Sequence, residues 1–187
     1  MPRIDIPEGK ADPEVRVWAL RPEMGIGAGA LSHAIYDESI VPVRERELAR
    51  MRIAQINGCA ICQQWRSTPG AEGQVSSQAQ AAGADGDKSR TADGAPEAVA
   101  VVSESDYAAV ADWQGYDGYS ERERLVIDYA ERFALDHHAI DDDFFDRLRA
   151  AYSDAEVLDL TVCIGGWLAL GRTLHILGLD EHCRLPG

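Results

Sequence analysis

ELARMRIAQINGCAICQQWR, residues 47–66, carries the strongest structural signals in this sequence. Its first half carries apolar residues at roughly helical spacing and is predicted to be an amphipathic helix. The Asn-Gly pair that follows is typical of a helix C-terminus. Cys59 then falls near the first position of a second helix, and Cys62 comes one turn later. The stretch therefore predicts a helix, a break, and a helix that opens with two cysteines.

The position of the two cysteines suggests a reactive thiol pair. Backbone N–H groups at a helix start carry partial positive charge, which favours a thiolate over a thiol. Arg66 lies four residues after Cys62. This spacing suggests that Arg66 adds a positive charge beside the Cys62 sulfur. If so, Arg66→Ala should make the Cys62 thiol less acidic.

Length, composition and charge narrow the class of protein. The chain has 187 residues, 45% of them hydrophobic, which predicts one domain with a substantial core. The net charge of −14 argues against a nucleic-acid surface, which needs a basic footprint, and against docking on anionic lipid. We therefore expect neither nucleic acid nor membrane as a partner.

The ends and the apolar runs of the chain bear on its compartment. The first ten residues have no apolar segment of the kind found in secretory signals. The longest apolar run, Leu160 to Leu170, is shorter than the ~20 residues that a membrane span needs. A cytoplasmic location is predicted, where thiols stay reduced and a C-x-x-C pair is typically catalytic or metal-binding.

The remaining chain predicts an all-α fold. Residues 1–25 are expected to form an extended arm, Ala28 to Ile40 a short helix, and residues 68–96 a flexible insertion within a single domain spanning residues 1–187. Helical structure is predicted to resume near Glu97. Three further helix starts are indicated, by two capping boxes and one N-cap: Ser120–Glu123, Ser153–Glu156 and Asp141. An alternating strand pattern is absent from the sequence.

The last predicted helix, from Ser153 to about Leu177, is apolar nearly all round in its middle, which is typical of a core helix or an oligomer interface. Its glycines, Gly165, Gly166 and Gly171, suggest that another backbone approaches closely. A weak internal similarity joins Arg44-Glu-Arg-Glu-Leu to Arg122-Glu-Arg-Leu, and a duplicated helical unit would explain it.

The segment from Glu47 to Cys62 resembles the carboxymuconolactone decarboxylase and alkylhydroperoxidase D (AhpD-like) superfamily. The resemblance combines Asn-Gly-Cys-x-x-Cys with a glutamate before the first cysteine. Later segments, around Ser120 to Phe133 and Phe145 to Leu160, also resemble the family's C-terminal helices. In all, the resemblance covers about residues 30–67 and 95–180.

The resemblance implies an all-helical fold that forms homo-oligomers, from dimers and trimers to hexamers. It implies a thiol peroxidase or disulfide reductase with no cofactor and no metal, acting on a small hydroperoxide and regenerated by an external dithiol. Carried over by position, Cys62 is the peroxidatic cysteine, Cys59 the resolving cysteine and Glu47 the carboxylate of a proton relay.

Two positions depart from the family pattern. The histidine expected four residues after the second cysteine is Arg66, and the position before that cysteine, histidine in some members, is Ile61. Arginine stays protonated and cannot carry protons at working pH, so the relay is incomplete. His33, on the predicted helix upstream, is a candidate for the missing imidazole, although a structural role is the simpler interpretation.

The sequence is also compatible with other functions. A lyase of the carboxymuconolactone type would bind a small carboxylic acid through Arg66 or Arg52. The two cysteines would have no role in the reaction of such a lyase. Alternatively, the protein is a non-catalytic redox-sensing module, or the two cysteines are a thiol pair without a function. A zinc site would need two more ligands from a separate set of residues, which comprises Cys163, Cys183, His182, His137 and His138.

Overall fold

The computed structural model describes residues 1–67 and 102–179, and within these ranges the chain is helical with no strand. The all-α prediction is confirmed. The helices, with our numbering, are α1 Pro13–Arg16, α2 Pro22–Asp37, α3 Val43–Ile56, α4 Ala60–Gln64, α5 Glu104–Ala109, α6 Glu121–Leu135, α7 Asp142–Ala151 and α8 Asp154–Ile176. Three 3₁₀ segments, Val17–Leu20, Val110–Gly115 and His137–Ala139, connect them.

Helix α3 lies at the centre of the fold. It packs most extensively against α6, and next against α8. Leu48 on α3, Val126 on α6 and Leu160 on α8 are all fully buried. Although α3 is rich in arginine and glutamate, its residues 46–51 are all buried. Its charged groups therefore need partners inside the protein, because an unpaired buried charge is costly.

Ion pairs between α3 and α6 satisfy part of this need, and they are reciprocal. Arg44 of α3 pairs with Glu123 of α6, while Arg122 of α6 donates to Glu45 of α3 across 2.9 Å. The two Arg-Glu segments that look alike in sequence thus face each other in an approximately two-fold manner. This is the arrangement that a duplicated helical unit would give, and duplication itself stays a prediction.

Helix starts were the most accurate of the local predictions. Both capping boxes are present, with Ser120 and Ser153 each accepting the N–H of the glutamate three residues on. Asp141 caps α7 by accepting the N–H of Phe144 at 2.8 Å. These motifs depend only on neighbouring residues, so the sequence determines them directly.

The N-terminal region differs from the predicted extended arm. The chain becomes helical at Pro13, and α2 begins at Pro22, before the predicted start at Ala28. Proline at the first turn opens both helices, since its missing N–H has no helical partner to lose. The predicted insertion at residues 68–96, and residues 97–101 of the predicted next helix, lie outside the described residues.

Helix α8 is the one helix of the described ranges that is long and apolar enough to cross a membrane. Its fully buried residues include Leu160 and Ile164, and it packs on α2 and α3, so one side is core. The prediction of close backbone approach at its glycines was wrong. A Cβ on Gly166 would collide with the Ile35 side chain, and one on Gly171 would lie 2.7 Å from the side-chain nitrogen of Asn57.

Candidate active site

The turn between α3 and α4 places the two cysteines. Gly58 has a φ of 67°, which L-residues with a Cβ rarely adopt. The Gly58 N–H donates to the Gln55 carbonyl at 3.1 Å, and the Cys59 N–H donates to the Ala54 carbonyl at 3.0 Å. These two bonds form a Schellman motif, which closes α3 and turns the chain back toward it.

We expect Gly58→Ala to lower the free energy of unfolding by about 1–2 kcal/mol, because alanine is strained at positive φ. Gly27 is the matched control. It lies inside α2 with open space where a Cβ would go. There the same substitution should stabilise the protein by about 1 kcal/mol through helix propensity alone. Chemical denaturation of both variants would test the opposite signs, and two changes of the same sign would contradict the assignment.

The two sulfurs are close together. Cys59 Sγ and Cys62 Sγ are 2.7 Å apart, and neither cysteine is part of a disulfide. Cys59 caps α4, with its sulfur accepting the Cys62 N–H at 3.3 Å. Cys59 is buried and Cys62 is half-buried. Since a disulfide needs about 2.05 Å between its sulfurs, only a small movement separates this geometry from the one that a two-electron oxidant would close into a disulfide.

A cavity of about 290 Å³, called here the dithiol cavity, opens beside the two sulfurs. Elements α1 to α4 and α8 all contribute to it, together with the chain just after α8. The apolar part of its lining consists mainly of Ile35, Ile53, Trp167, Leu170, Leu174 and Leu179. Both cysteines therefore face a largely apolar space that a small molecule could occupy.

A buried ion pair lies next to the dithiol. Glu47 and Arg50 have side chains that are only 1% and 3% exposed, and the arginine makes two parallel bonds to the carboxylate, at 2.8 and 2.9 Å. Tyr107 donates its hydroxyl to Glu47 at 2.9 Å, and the Ser67 N–H donates at 3.3 Å. Burial raises the pKa of Glu47, but the bonds and charge of Arg50 outweigh this and the net pKa is lowered.

Arg50 also holds the main chain of the dithiol segment. Its guanidinium donates to the carbonyl of Cys62 at 2.5 Å and to that of Trp65 at 3.0 Å. Its charge lies over the Trp65 ring, 4.8 Å from the centroid. Arg50 therefore connects the buried carboxylate of α3 to the backbone that carries the second cysteine, and it lines the dithiol cavity itself.

Stability should fall in acid because of Glu47. Its folded-state pKa lies below the ordinary 4.5, so its contribution is complete above about that pH and is lost as the pH falls toward the folded value. In Glu47→Gln this contribution is absent at every pH. The stability difference between wild type and Glu47→Gln, measured by urea unfolding from about pH 7 to about pH 3, should therefore shrink as the pH falls. A constant difference would contradict this role.

Comparisons with known proteins add one structural likeness. No family model matches the sequence, and no curated protein does. The chain is similar to a crystal structure from Agrobacterium tumefaciens, that of a protein of unknown function assigned provisionally to the antioxidant defence protein AhpD. The TM-score is 0.59 at 23% identity, over 90% of this chain and 96% of that one. The chain has an all-α, AhpD-like fold.

Within this AhpD-like fold, Arg66 lies in a different place from the one its spacing suggested. Helix α4 ends at Gln64, so Arg66 is not stacked one helical turn beyond Cys62. Its guanidinium makes two bonds to Glu104, at 2.8 and 2.9 Å, and lies over the Tyr107 ring. The cation that lines the dithiol cavity is Arg50.

His33 faces solvent. Its imidazole side chain is 58% exposed and contacts Asp37 at 2.5 Å. The cavity lining from α2 comes instead from its neighbours, among them Ser32 and Tyr36. Glu47 is also poorly suited to carry protons, since its lowered pKa keeps it ionised. The relay roles of His33 and Glu47 stay predictions that this geometry does not favour.

Of the other side chains proposed from the sequence, those that the structure describes do not line the dithiol cavity. Arg52, suggested as a carboxylate binder for a lyase, pairs with Glu131 at 2.8 Å. Cys163 is buried in the core, where burial raises the pKa of its thiol to about 12. Within the described ranges, no three His, Cys, Asp or Glu side chains come together as a metal site requires. Cys183 and His182 lie outside those ranges.

Two residues of the site were missed from the sequence. Arg50 was one of several arginines around Glu47, and nothing in the sequence separated them except its position three residues after the glutamate, on the same helix face. Tyr36 carries no distinguishing signal in the sequence beyond its position three residues after His33. Its phenol lines the dithiol cavity, with its ring 5.3 Å from that of Trp65.

Proposed function

We propose that this chain is a thiol-dependent peroxidase that reduces small organic hydroperoxides through Cys62 and Cys59. The observation that supports this most directly is the pair of cysteine sulfurs, 2.7 Å apart and not joined in a disulfide, lining one cavity. The AhpD-like fold, and the antioxidant role assigned provisionally to the Agrobacterium protein, agree with it. A sulfur pair that can close into a disulfide gives the enzyme a reversible two-electron store.

The lining of the cavity supports an organic substrate. Aliphatic side chains and Trp167 form most of its wall, and a volume of about 290 Å³ leaves room for an alkyl group beside the peroxide. Burying apolar substrate surface there adds about 25 cal/mol per Å² to binding. Hydrogen peroxide has no apolar surface to bury and should be the poorer substrate.

The proposed cycle has three steps. The Cys62 thiolate attacks the terminal peroxide oxygen, the O–O bond breaks, and the sulfur is oxidised to sulfenic acid while the alcohol leaves. The Cys59 thiol then displaces water from that sulfenic acid and forms the disulfide. An external dithiol reduces the disulfide by exchange and is itself oxidised.

The direct test is to treat the reduced full chain with tert-butyl hydroperoxide. We expect both thiols to be lost together, with peptide mass mapping that shows a Cys59–Cys62 disulfide. With excess dithiothreitol present, hydroperoxide should be consumed continuously. If the two thiols persist, or if the disulfide maps to Cys163 or Cys183, the proposed function is wrong.

Two further proposals concern assembly and compartment. Helix α8 keeps exposed apolar side chains opposite its core side, with Leu158 at 66%, Val162 at 43% and Ile176 at 60%. We propose that this face packs on other copies of the chain in a homo-oligomer, which sedimentation velocity would detect.

Since turnover needs a dithiol reductant, the enzyme should work in a reducing compartment such as the cytoplasm.

A further inference from the structure

The peroxidase cycle, if the proposed function holds, needs a proton for the departing alkoxide. Arg66 and Ile61 stand where the AhpD-like resemblance expects histidine, and His33 faces solvent. A different group near the dithiol must therefore give this proton. The polar side chains that line the dithiol cavity are the candidates: Glu14, Ser32, Tyr36, Arg50 and Asn57.

Three of the five candidates are unsuitable. Arg50 is committed to Glu47 and to two backbone carbonyls, and a guanidinium does not give up its proton. Asn57 accepts from Arg172 at 3.1 Å and is not an acid. Glutamate side chains are ordinarily carboxylates at neutral pH, and a carboxylate accepts hydrogen bonds only. Two hydroxyl groups remain, and a phenol is far more acidic than the alcohol of Ser32.

The geometry points to Tyr36 as the residue that donates a proton to the leaving alkoxide oxygen when Cys62 is oxidised. Tyr36 and Cys62 line the same cavity. The ring is held by aromatic neighbours on two sides, with centroids 5.3 Å from Trp65 and 6.4 Å from Trp167. These contacts position the phenol at the wall of the cavity that a hydroperoxide would occupy.

The electrostatics of the cavity support this role. Burial raises the pKa of Tyr36 above its ordinary value, Arg50 opposes the rise, and Cys62 and Glu47 add to it. The phenol therefore keeps its proton at neutral pH and is a donor in the resting enzyme. When it loses the proton to a strongly basic alkoxide, the nearby Arg50 charge stabilises the phenolate that forms.

The step balances in atoms and electrons. Thiolate sulfur bonds to the terminal oxygen of R–O–O–H and is oxidised by two electrons, and the O–O electron pair stays on the alkoxide oxygen. Tyr36 transfers its proton to that oxygen, the alcohol R–OH leaves, and solvent reprotonates the phenolate. A peracid needs no such donor, because its leaving group is a carboxylate that is stable without a proton.

The different leaving groups of a hydroperoxide and a peracid allow a test of the role of Tyr36. In Tyr36→Phe, which keeps the ring, single-turnover oxidation of Cys62 by tert-butyl hydroperoxide should slow on the order of 10- to 100-fold. Oxidation by peracetic acid should change by less than about twofold, since no general acid is used. Tyr129→Phe, which removes a phenol hydroxyl that bonds to Thr161 away from the dithiol cavity, should leave both rates near wild type.

The other possible results would contradict either the role of Tyr36 or the proposed peroxidase function. If Tyr36→Phe slows both oxidants equally, the ring hydroxyl only maintains the site, and the inference is wrong. It is also wrong if neither rate changes, or if Tyr129→Phe shows the same selective loss. If wild type reacts with both oxidants no faster than Cys62→Ser does, the proposed peroxidase function itself fails, and Tyr36 has no such role.

Discussion

Replacing Arg50 with methionine should lower the free energy of unfolding by about 3–5 kcal/mol, because it leaves Glu47 as an unpaired buried charge. The side chain of Glu47 is 1% exposed, so water cannot take the place of the guanidinium. Methionine has a similar length and no charge, which limits the loss of packing. Urea unfolding at neutral pH measures the change.

A surface ion pair supplies the matched control. Arg149 pairs with Asp154 at 3.4 Å, with both side chains more than half exposed. Arg149→Met should therefore cost less than about 1 kcal/mol. Adding Glu47→Gln to Arg50→Met removes the buried charge, so the double variant should be more stable than Arg50→Met alone. Equal costs for Arg50→Met and Arg149→Met would contradict the buried-pair argument.

Arg50→Met should also disturb the dithiol segment. The Cys62 carbonyl loses the Arg50 guanidinium, the Trp65 carbonyl keeps only the Arg66 donor, and helix α4 is only five residues long. We expect faster hydrogen exchange in residues 59–67 and slower disulfide formation. Arg149→Met should change neither, since it lies on α7.

The sequence determined those parts of the fold that depend on neighbouring residues. Capping boxes at Ser120 and Ser153, the N-cap at Asp141 and the Asn-Gly end of α3 were all predicted correctly. Each involves residues within one helical turn, so the pattern and the structure carry the same information. The all-α class followed from the same local signals.

The candidate site was harder, because its geometry comes from contacts between distant segments. The i, i+4 spacing of Cys62 and Arg66 would place them on one face only if α4 continued, but it ends at Gln64. Arg66 then turns to Glu104, 38 residues away, which no spacing rule could identify. Tyr36 reaches the dithiol cavity because α2 packs on α8. That packing is likewise invisible in local sequence.

Cys62→Ser should abolish turnover of organic hydroperoxides, whereas Cys59→Ser should abolish turnover but still allow one round of oxidation. The two sulfurs differ in access, because Cys59 is 5% exposed and its sulfur is engaged as the helix cap, while Cys62 is half-buried. The more accessible sulfur meets the peroxide first, so Cys62 should become the sulfenic acid.

The two variants are separated by what remains after a single addition of hydroperoxide. Cys59→Ser should carry a sulfenic acid on Cys62 that a dimedone probe captures, and Cys62→Ser should carry none on Cys59. Cys163→Ser is the control, since that thiol is in the core and its raised pKa leaves it protonated. Dimedone could instead capture Cys59 in Cys62→Ser as fast as it captures Cys62 in Cys59→Ser. Solvent access would then not decide which sulfur attacks the hydroperoxide first. The assignment of peroxidatic and resolving sulfurs would then have to be abandoned.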